Sequence, residues 1–278
     1  MEKITDWAVF WRELVEMRAR GFREETEKNS DHWTGRAHKF QEGVSRRWQQ
    51  KDSSREFILS QTSAESTLLD IGAGTGAWAL LLAPRVRRVT AIDPSDAMIA
   101  VMRENIARQN IQNISIVKGS WPEVDVEQHD FSFCSHAMYG CPELPAFIRK
   151  MESCTRRTCF LLMRAPSLDS IQSEASRYLW GHPLDGPNFV VAYNVLLQMG
   201  IYANVSMENT GLWASRTSPS LESALTRLKR FMGFIDSSEH DSFFMDILRR
   251  RLVWKDGSYA WPQEMRSALI YWDVTNSI

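Results

Sequence analysis

The run Asp70-Ile71-Gly72-Ala73-Gly74-Thr75-Gly76 has the clearest chemical potential in the sequence. Glycines at alternate positions allow a sharp turn and let the backbone approach a ligand where a Cβ would intervene. A helix that begins just past such a turn offers free N–H groups to a polar or negative group. Asp93 stands 17 residues beyond Gly76. An acid there can accept both hydroxyl hydrogens of a ribose. Asp70 has two roles open to it, ordering the loop through its N–H groups or touching a ligand directly.

These residues need particular elements to hold them. Residues 67–71 form a short apolar run that reads as a strand, and 77–82 as a helix. Residues 88–92 read as a second strand, ended by Asp93-Pro94. Ser95 caps a helix over 96–108, with Met98, Ile99, Met102 and Ile106 on one face. Further strands fall at 114–117, 130–134 and 158–163, with a helix at 145–151 between the last two. Strands alternating with short helices predict βαβ units and a parallel sheet. The glycine loop then lies where a nucleotide-like cofactor binds in such folds.

The remainder is less regular. Residues 1–60 are charged and aromatic with almost no strand signal, and read as a helical lead-in. Trp7, Phe10, Trp11, Leu14, Val15 and Met17 fall on one helical face. Asn29-Ser30-Asp31 reads as the cap of a second helix carrying Trp33, Ala37, Phe40 and Val44. Beyond residue 165, helices are expected at 168–179, 188–199, 220–234 and 242–252, and strands at 201–207 and 268–274. The expected division is a lead-in over 1–60 and a main domain over 61–278, with a helical lid inserted at about 212–262.

Composition narrows the function classes. Lys plus Arg is 33 and Asp plus Glu is 34, a net charge of −1. This gives no chain-wide basic face for nucleic acid. The four cysteines, Cys134, Cys141, Cys154 and Cys159, form no CxxC pair and no zinc-ligand spacing, so no metal is expected. No apolar run approaches the ~20 residues that span a bilayer, and nothing at the N-terminus reads as a signal peptide. The expected compartment is the cytoplasm.

A dinucleotide loop prefers G-x-G-x-x-G or A, and Gly72, Gly74 and Ala77 satisfy that spacing too. Asp70 before the first glycine, the G-x-G-x-G rhythm and the long helical lead-in distinguish the two. Together they resemble the class I S-adenosylmethionine-dependent methyltransferases, whose first motif reads D-x-G-x-G-x-G. Residues 91–98, Ala-Ile-Asp-Pro-Ser-Asp-Ala-Met, resemble that family's second motif. Ser135-His136-Ala137-Met138-Tyr139 resembles a stretch that follows strand four in its small-molecule members. Trp33, Ala37 and Phe40 match a W-x-x-x-A-x-x-aromatic segment that often precedes the fold. After strand three, where the family often places an acid, the chain reads Gly119-Ser120-Trp121.

The resemblance implies a Rossmann-like α/β fold with a seven-stranded, mostly parallel sheet. It implies S-adenosyl-L-methionine as cofactor, with S-adenosyl-L-homocysteine as product. The cofactor set is Asp70, Gly72, Ala73, Gly74, Gly76, Asp93, Pro94, Met98, Ser120, Trp121, Ser135 and His136. His136 and Tyr139 are the catalytic candidates by position, His136 either taking a proton or only lining the pocket. Trp33, Tyr139, Trp180 and Trp213 are the candidate walls for a small-molecule acceptor. The rival readings are an NAD-dependent oxidoreductase, an RNA methyltransferase and a non-catalytic cofactor-binding partner protein. A homodimer is left open.

Overall fold

The computed structural model describes residues 5–20, 31–208, 216–263 and 265–274. Strand β1 (Thr67–Ile71) is buried along its whole length, which is why its sequence does not alternate. It pairs in parallel with β2 (Arg88–Asp93) on one side and β4 (His129–Ser135) on the other. β3 (Ile114–Lys118) extends the sheet beyond β2, and β5 (Thr155–Pro166) extends it beyond β4. The late strands β6 (Asn204–Glu208) and β10 (Met265–Asp273) close it, β10 antiparallel to both β5 and β6. The seven-stranded order is β3-β2-β1-β4-β5-β10-β6. The chain reverses direction across the sheet between β1 and β4, and open α/β sheets bind ligands at that point.

The lead-in is helical, as expected. α1 (Trp7–Arg20), α2 (Ala37–Trp48) and α3 (Ser53–Gln61) precede the first strand. α1 inserts Trp11, Leu14 and Val15 into the core on one face of the sheet, beside Ile71, Ile92 and Met138. The Trp11 indole donates to the Cys141 carbonyl at 2.8 Å, tying α1 to the loop after β4. α4 (Ala77–Leu82) and α5 (Asp96–Arg108) follow β1 and β2, and α6 (Leu144–Ser153) precedes β5. Ser95 caps α5 through the Met98 N–H, as its sequence predicts.

α7 (Ile171–Trp180), α8 (Phe189–Gln198), α9 (Leu221–Met232) and α10 (Asp241–Arg251) follow β5. α8 packs on the main core, through Val191, Ala192 and Val195. α7, α9 and α10 build a separate apolar cluster around Leu228, Phe244 and Leu248. The insertion expected as helical carries α9 and α10 and, in addition, short strands. β7 (Thr217–Ser218), β8 (Val253–Lys255) and β9 (Ser258–Ala260) form a small antiparallel sheet, ordered β7-β9-β8. The β8–β9 hairpin turns at Asp256-Gly257, both with positive φ. The cap also begins earlier than expected, because α7 shares its core. No described helix is long and apolar enough to cross a membrane.

Candidate active site

The ends of β1, β2 and β4 bring the predicted residues to one edge. Registers set Ile71 beside Ile92 and Cys134, so Gly72, Asp93 and Ser135 leave the sheet together. Gly72 has φ 69°, and a Cβ there would lie 2.2 Å from the Ala137 Cβ. The turn therefore needs glycine for its conformation and for its contact with the loop after β4. Gly76, at φ 84°, faces Met102 of α5 and caps α4. It shapes the turn and does not line the cleft.

The acid after β2 serves the loop directly. The Gly74 N–H donates to Asp93 Oδ2 at 2.8 Å, and the Ser95 N–H donates to Oδ1 at 2.9 Å. Each carboxylate oxygen keeps a further acceptor direction. Burial pushes the Asp93 carboxyl up, and the two N–H donors oppose that.

A cleft of about 800 Å3 opens over this edge. That lies within the ~300–1,000 Å3 of small-molecule sites. Gly72, Gly74, Asp93 and Pro94 line it, together with Met98, Ser120 and Trp121. Ser135, His136, Tyr139, Trp33 and Phe40 line it as well. The Trp121 indole donates to the Phe147 carbonyl at 3.2 Å, which fixes its ring in the wall.

Trp33 owes its place to Asp31. Asp31 Oδ2 accepts from the Ser95 hydroxyl at 2.6 Å and from the Ala97 N–H at 3.0 Å. A carboxylate at the N-terminus of α5 is favourable there. Asp31 thus caps a helix distant in sequence as well as accepting the N–H of Trp33 beside it.

A second cavity of about 280 Å3 adjoins the glycine loop, sharing Gly72, Gly74, Phe40, Ser135 and His136. Asp70, Ala73 and Arg47 line it. Asp70 is only 2% exposed, and its Oδ2 has no hydrogen-bond partner. Burial pushes its carboxyl up to about 7, with Asp93 adding to the effect. Such an orphaned acceptor beside a ligand cavity suits a cationic or N–H-bearing group.

Arg47 escaped the sequence reading. Its signal was spacing, since Phe40, Val44 and Arg47 recur along one helical face. Burial pushes its guanidinium down.

His136 and Tyr139 form a linked pair. The Arg164 backbone N–H donates to Tyr139 Oη at 2.6 Å, and Oη lies 2.9 Å from His136 Nδ1. The protonated hydroxyl has one hydrogen to give and Nδ1 is the acceptor within its reach, so Oη donates to Nδ1. The imidazole proton then sits on Nε2. Desolvation, with Arg47 and Arg164 adding to it, pushes His136 down to about 3. The ring is therefore neutral near pH 7 and a weak proton acceptor. Desolvation also keeps the Tyr139 hydroxyl protonated, above its ordinary range. Cys141 lines the cleft as well, and burial pushes its thiol up, so no thiolate is available.

One expected wall, Trp180, is not in place. Trp180 packs in the cap cluster, its ring 6.2 Å from His182, and does not line either cavity. Its spacing on α7 suits the cap core better than a ligand. Trp213 lies outside the described residues. Among the described residues no group of three or more His, Cys, Asp or Glu is placed to hold a metal ion.

The strand order and the switch-point cleft over the glycine loop are those of a Rossmann-like α/β fold. Residues 68–158 match the family model described as a methyltransferase domain. The malonyl-[acyl-carrier protein] O-methyltransferase of Serratia marcescens is 28% identical over 132 residues, 48% of this chain and 49% of its own length. A protein of Methanosphaera stadtmanae named "Probable ribosomal RNA small subunit methyltransferase A" is 28% identical over 81 residues, 28% of this chain and 30% of its own. The YcgJ protein of Bacillus subtilis shares the fold at a TM-score of 0.52 and 14% identity, covering 78% of this chain and 96% of that one. The chain thus spans 30% and 49% of the length of these two curated relatives. Residues 68–158 are thus a methyltransferase domain by their match to the family model.

Proposed function

We propose that this protein transfers a methyl group from S-adenosyl-L-methionine to a small-molecule acceptor. The observation that carries the reading is the Asp93–Gly74 contact in the lining of the switch-point cleft. The residues present fit the cofactor. Asp93 has acceptor directions left for ribose hydroxyls, Met98 and Trp121 offer apolar walls to a purine, and Ser120 offers a hydroxyl. Gly72, Ala73 and Gly74 would let the backbone close on the ligand, and the orphaned Asp70 Oδ2 would meet its cationic end.

When bound, the sulfonium supplies an electrophilic methyl group that needs little activation. The chain's task is then to align the acceptor and exclude water. Trp33, placed by Asp31, packs edge-on against Phe40, and both line the cleft. Tyr139 fixes the His136 ring, which lines the cleft and takes no proton. A cleft lined by the lead-in favours a small acceptor over a duplex or a folded protein.

The decisive experiment is calorimetric titration with S-adenosylhomocysteine, with NAD in parallel. Micromolar binding of the first and none of the second is expected. Binding of NAD alone would replace this reading with the oxidoreductase. Turnover of labelled S-adenosylmethionine against a panel of small acceptors then separates an enzyme from a non-catalytic member of the fold.

A further inference from the structure

A third cavity, of about 700 Å3, lies where α1 meets the cap. Its walls carry Arg18, Arg216, Arg227 and Arg230, and among the described residues its lining includes no acid. Ser223, Thr226 and Gln172 add hydroxyl and amide groups. Among the described residues, no carboxylate forms an ion pair with any of these four arginines. The nearby acid Asp185 is already taken. It grips the Arg164 guanidinium through both oxygens, at 2.8 and 3.2 Å.

Arg18 is the innermost of the four. Its Nη1 is buried without a hydrogen-bond partner. The Phe231 ring lies 5.9 Å from the Arg18 guanidinium and 6.0 Å from that of Arg164. Arg18 is held over the Tyr139 ring at 5.8 Å. Burial, then the neighbouring Arg164, push its guanidinium down, which means that the cluster is poorly compensated as it stands. Four guanidinium groups around one cavity repel each other, those of Arg216, Arg227 and Arg230 screened by their exposure to solvent, and the unpaired buried N–H of Arg18 costs stability. An oxyanion removes both costs, through paired N–H donors that match its geometry.

We propose that this cavity is an anion subsite that takes the phosphate or diphosphate group of the methyl acceptor. A single carboxylate would leave three of the four charges unmatched, whereas a di- or trianion answers most of them. The connection to the cleft is direct. Tyr139 lines the cofactor cleft and carries Arg18 on its ring, so the two cavities are one side chain apart. The acceptor half of this inference rests on the methyl-transfer reading, and the anion site itself does not.

The test is calorimetry of the full chain with sodium pyrophosphate at constant ionic strength, without divalent cations, beside separate titration with S-adenosylhomocysteine. Wild type is expected to bind pyrophosphate, and R227Q/R230Q to bind it at least about tenfold more weakly. Both proteins should bind S-adenosylhomocysteine equally. R227K/R230K keeps the charge and loses the forked geometry. It should fall between the two and guards against misfolding, checked by circular dichroism. No pyrophosphate binding by wild type, or equal binding by R227Q/R230Q, overturns the anion site. Competition between pyrophosphate and S-adenosylhomocysteine overturns it too, since the anion would then sit at Arg47 in the cofactor site. Failure to bind S-adenosylhomocysteine with the pyrophosphate result intact overturns the methyl-transfer reading alone.

Discussion

The Gly74 N–H donates to Asp93 Oδ2 at 2.8 Å, so the acid ending β2 holds the turn that ends β1. The same carboxylate takes the Ser95 N–H and so also anchors the start of α5. One side chain therefore positions the loop, the helix cap and the lining of the cleft. Removing it removes a charged acceptor from all three. Asp93→Ala should weaken S-adenosylhomocysteine binding by about 1–3 kcal/mol, read by calorimetry. Unchanged affinity would end the assignment of Asp93 to the ribose.

Asp70 sets a pH dependence whose sign can be worked out. Its folded pKa, about 7, lies above its ordinary 3.8. Between those values the folded chain holds a proton that the unfolded chain has released. The Asp70 contribution to stability is therefore full below pH ~4 and is lost as pH rises through ~7. Asp70→Asn should raise the Tm of the free protein at pH 8, with the difference closing toward pH 4. A cationic ligand end would favour the carboxylate, so cofactor affinity should rise through pH 7 in wild type and stay flat in the variant. Parallel thermal melts and titrations at pH 5.5, 7 and 8.5 check both signs.

His136 carries no proton near neutrality, because desolvation and two arginines hold its pKa near 3. Turnover should therefore show no ionisation from this ring between pH 5 and 8. Ring nitrogen shifts followed by NMR should be constant over that range, in the tautomer with hydrogen on Nε2. A midpoint near 6.5 in either measurement would restore it as a general base.

Trp11 is fully buried, and its indole is bonded to the Cys141 carbonyl. It links α1 to the loop that carries Tyr139. Trp11→Ala should cost about 3–5 kcal/mol, measured by urea unfolding, through the void left and the lost hydrogen bond. Trp11→Phe keeps most of the volume and should cost much less. Equal losses in the two would mean that the hydrogen bond, and not the packing, holds the lead-in down.

The sheet was legible because its strands are short apolar runs at the spacing of βαβ units, and β1, β2 and β4 fall where that pattern puts them. This part of the cleft lining was legible for the same reason, since Gly72, Gly74 and Asp93 sit at strand ends. What was not legible depends on long-range packing. Asp31 reads as a local cap, and only the fold shows that it reaches the N-terminus of α5. Trp180 and Trp33 look alike in sequence, yet one packs into the cap core and the other lines the cleft. The strands of the cap are two or three residues long, too short for alternation to show. The arginine cavity draws on α1, β7's flank and α9, which no local pattern connects.

Arg164 and Asp185 give the sharpest stability test. Arg164 is 4% exposed, and Asp185 grips it through two hydrogen bonds while the Pro187 carbonyl takes Nε–H at 2.7 Å. Removing the acid alone leaves a buried guanidinium without its counter-charge. Asp185→Asn should therefore cost about 3–5 kcal/mol. The Arg164 backbone also holds Tyr139, so the damage should spread to the His136–Tyr139 pair and lower turnover along with Tm. Replacing both partners, as in Arg164→Met with Asp185→Leu, removes the buried charge as well as the pair. That double variant should recover much of the lost Tm, because a well-packed apolar pair can equal a buried ion pair. If it is as unstable as Asp185→Asn, the geometry of the 182–188 loop, and not the charge, is what the pair maintains.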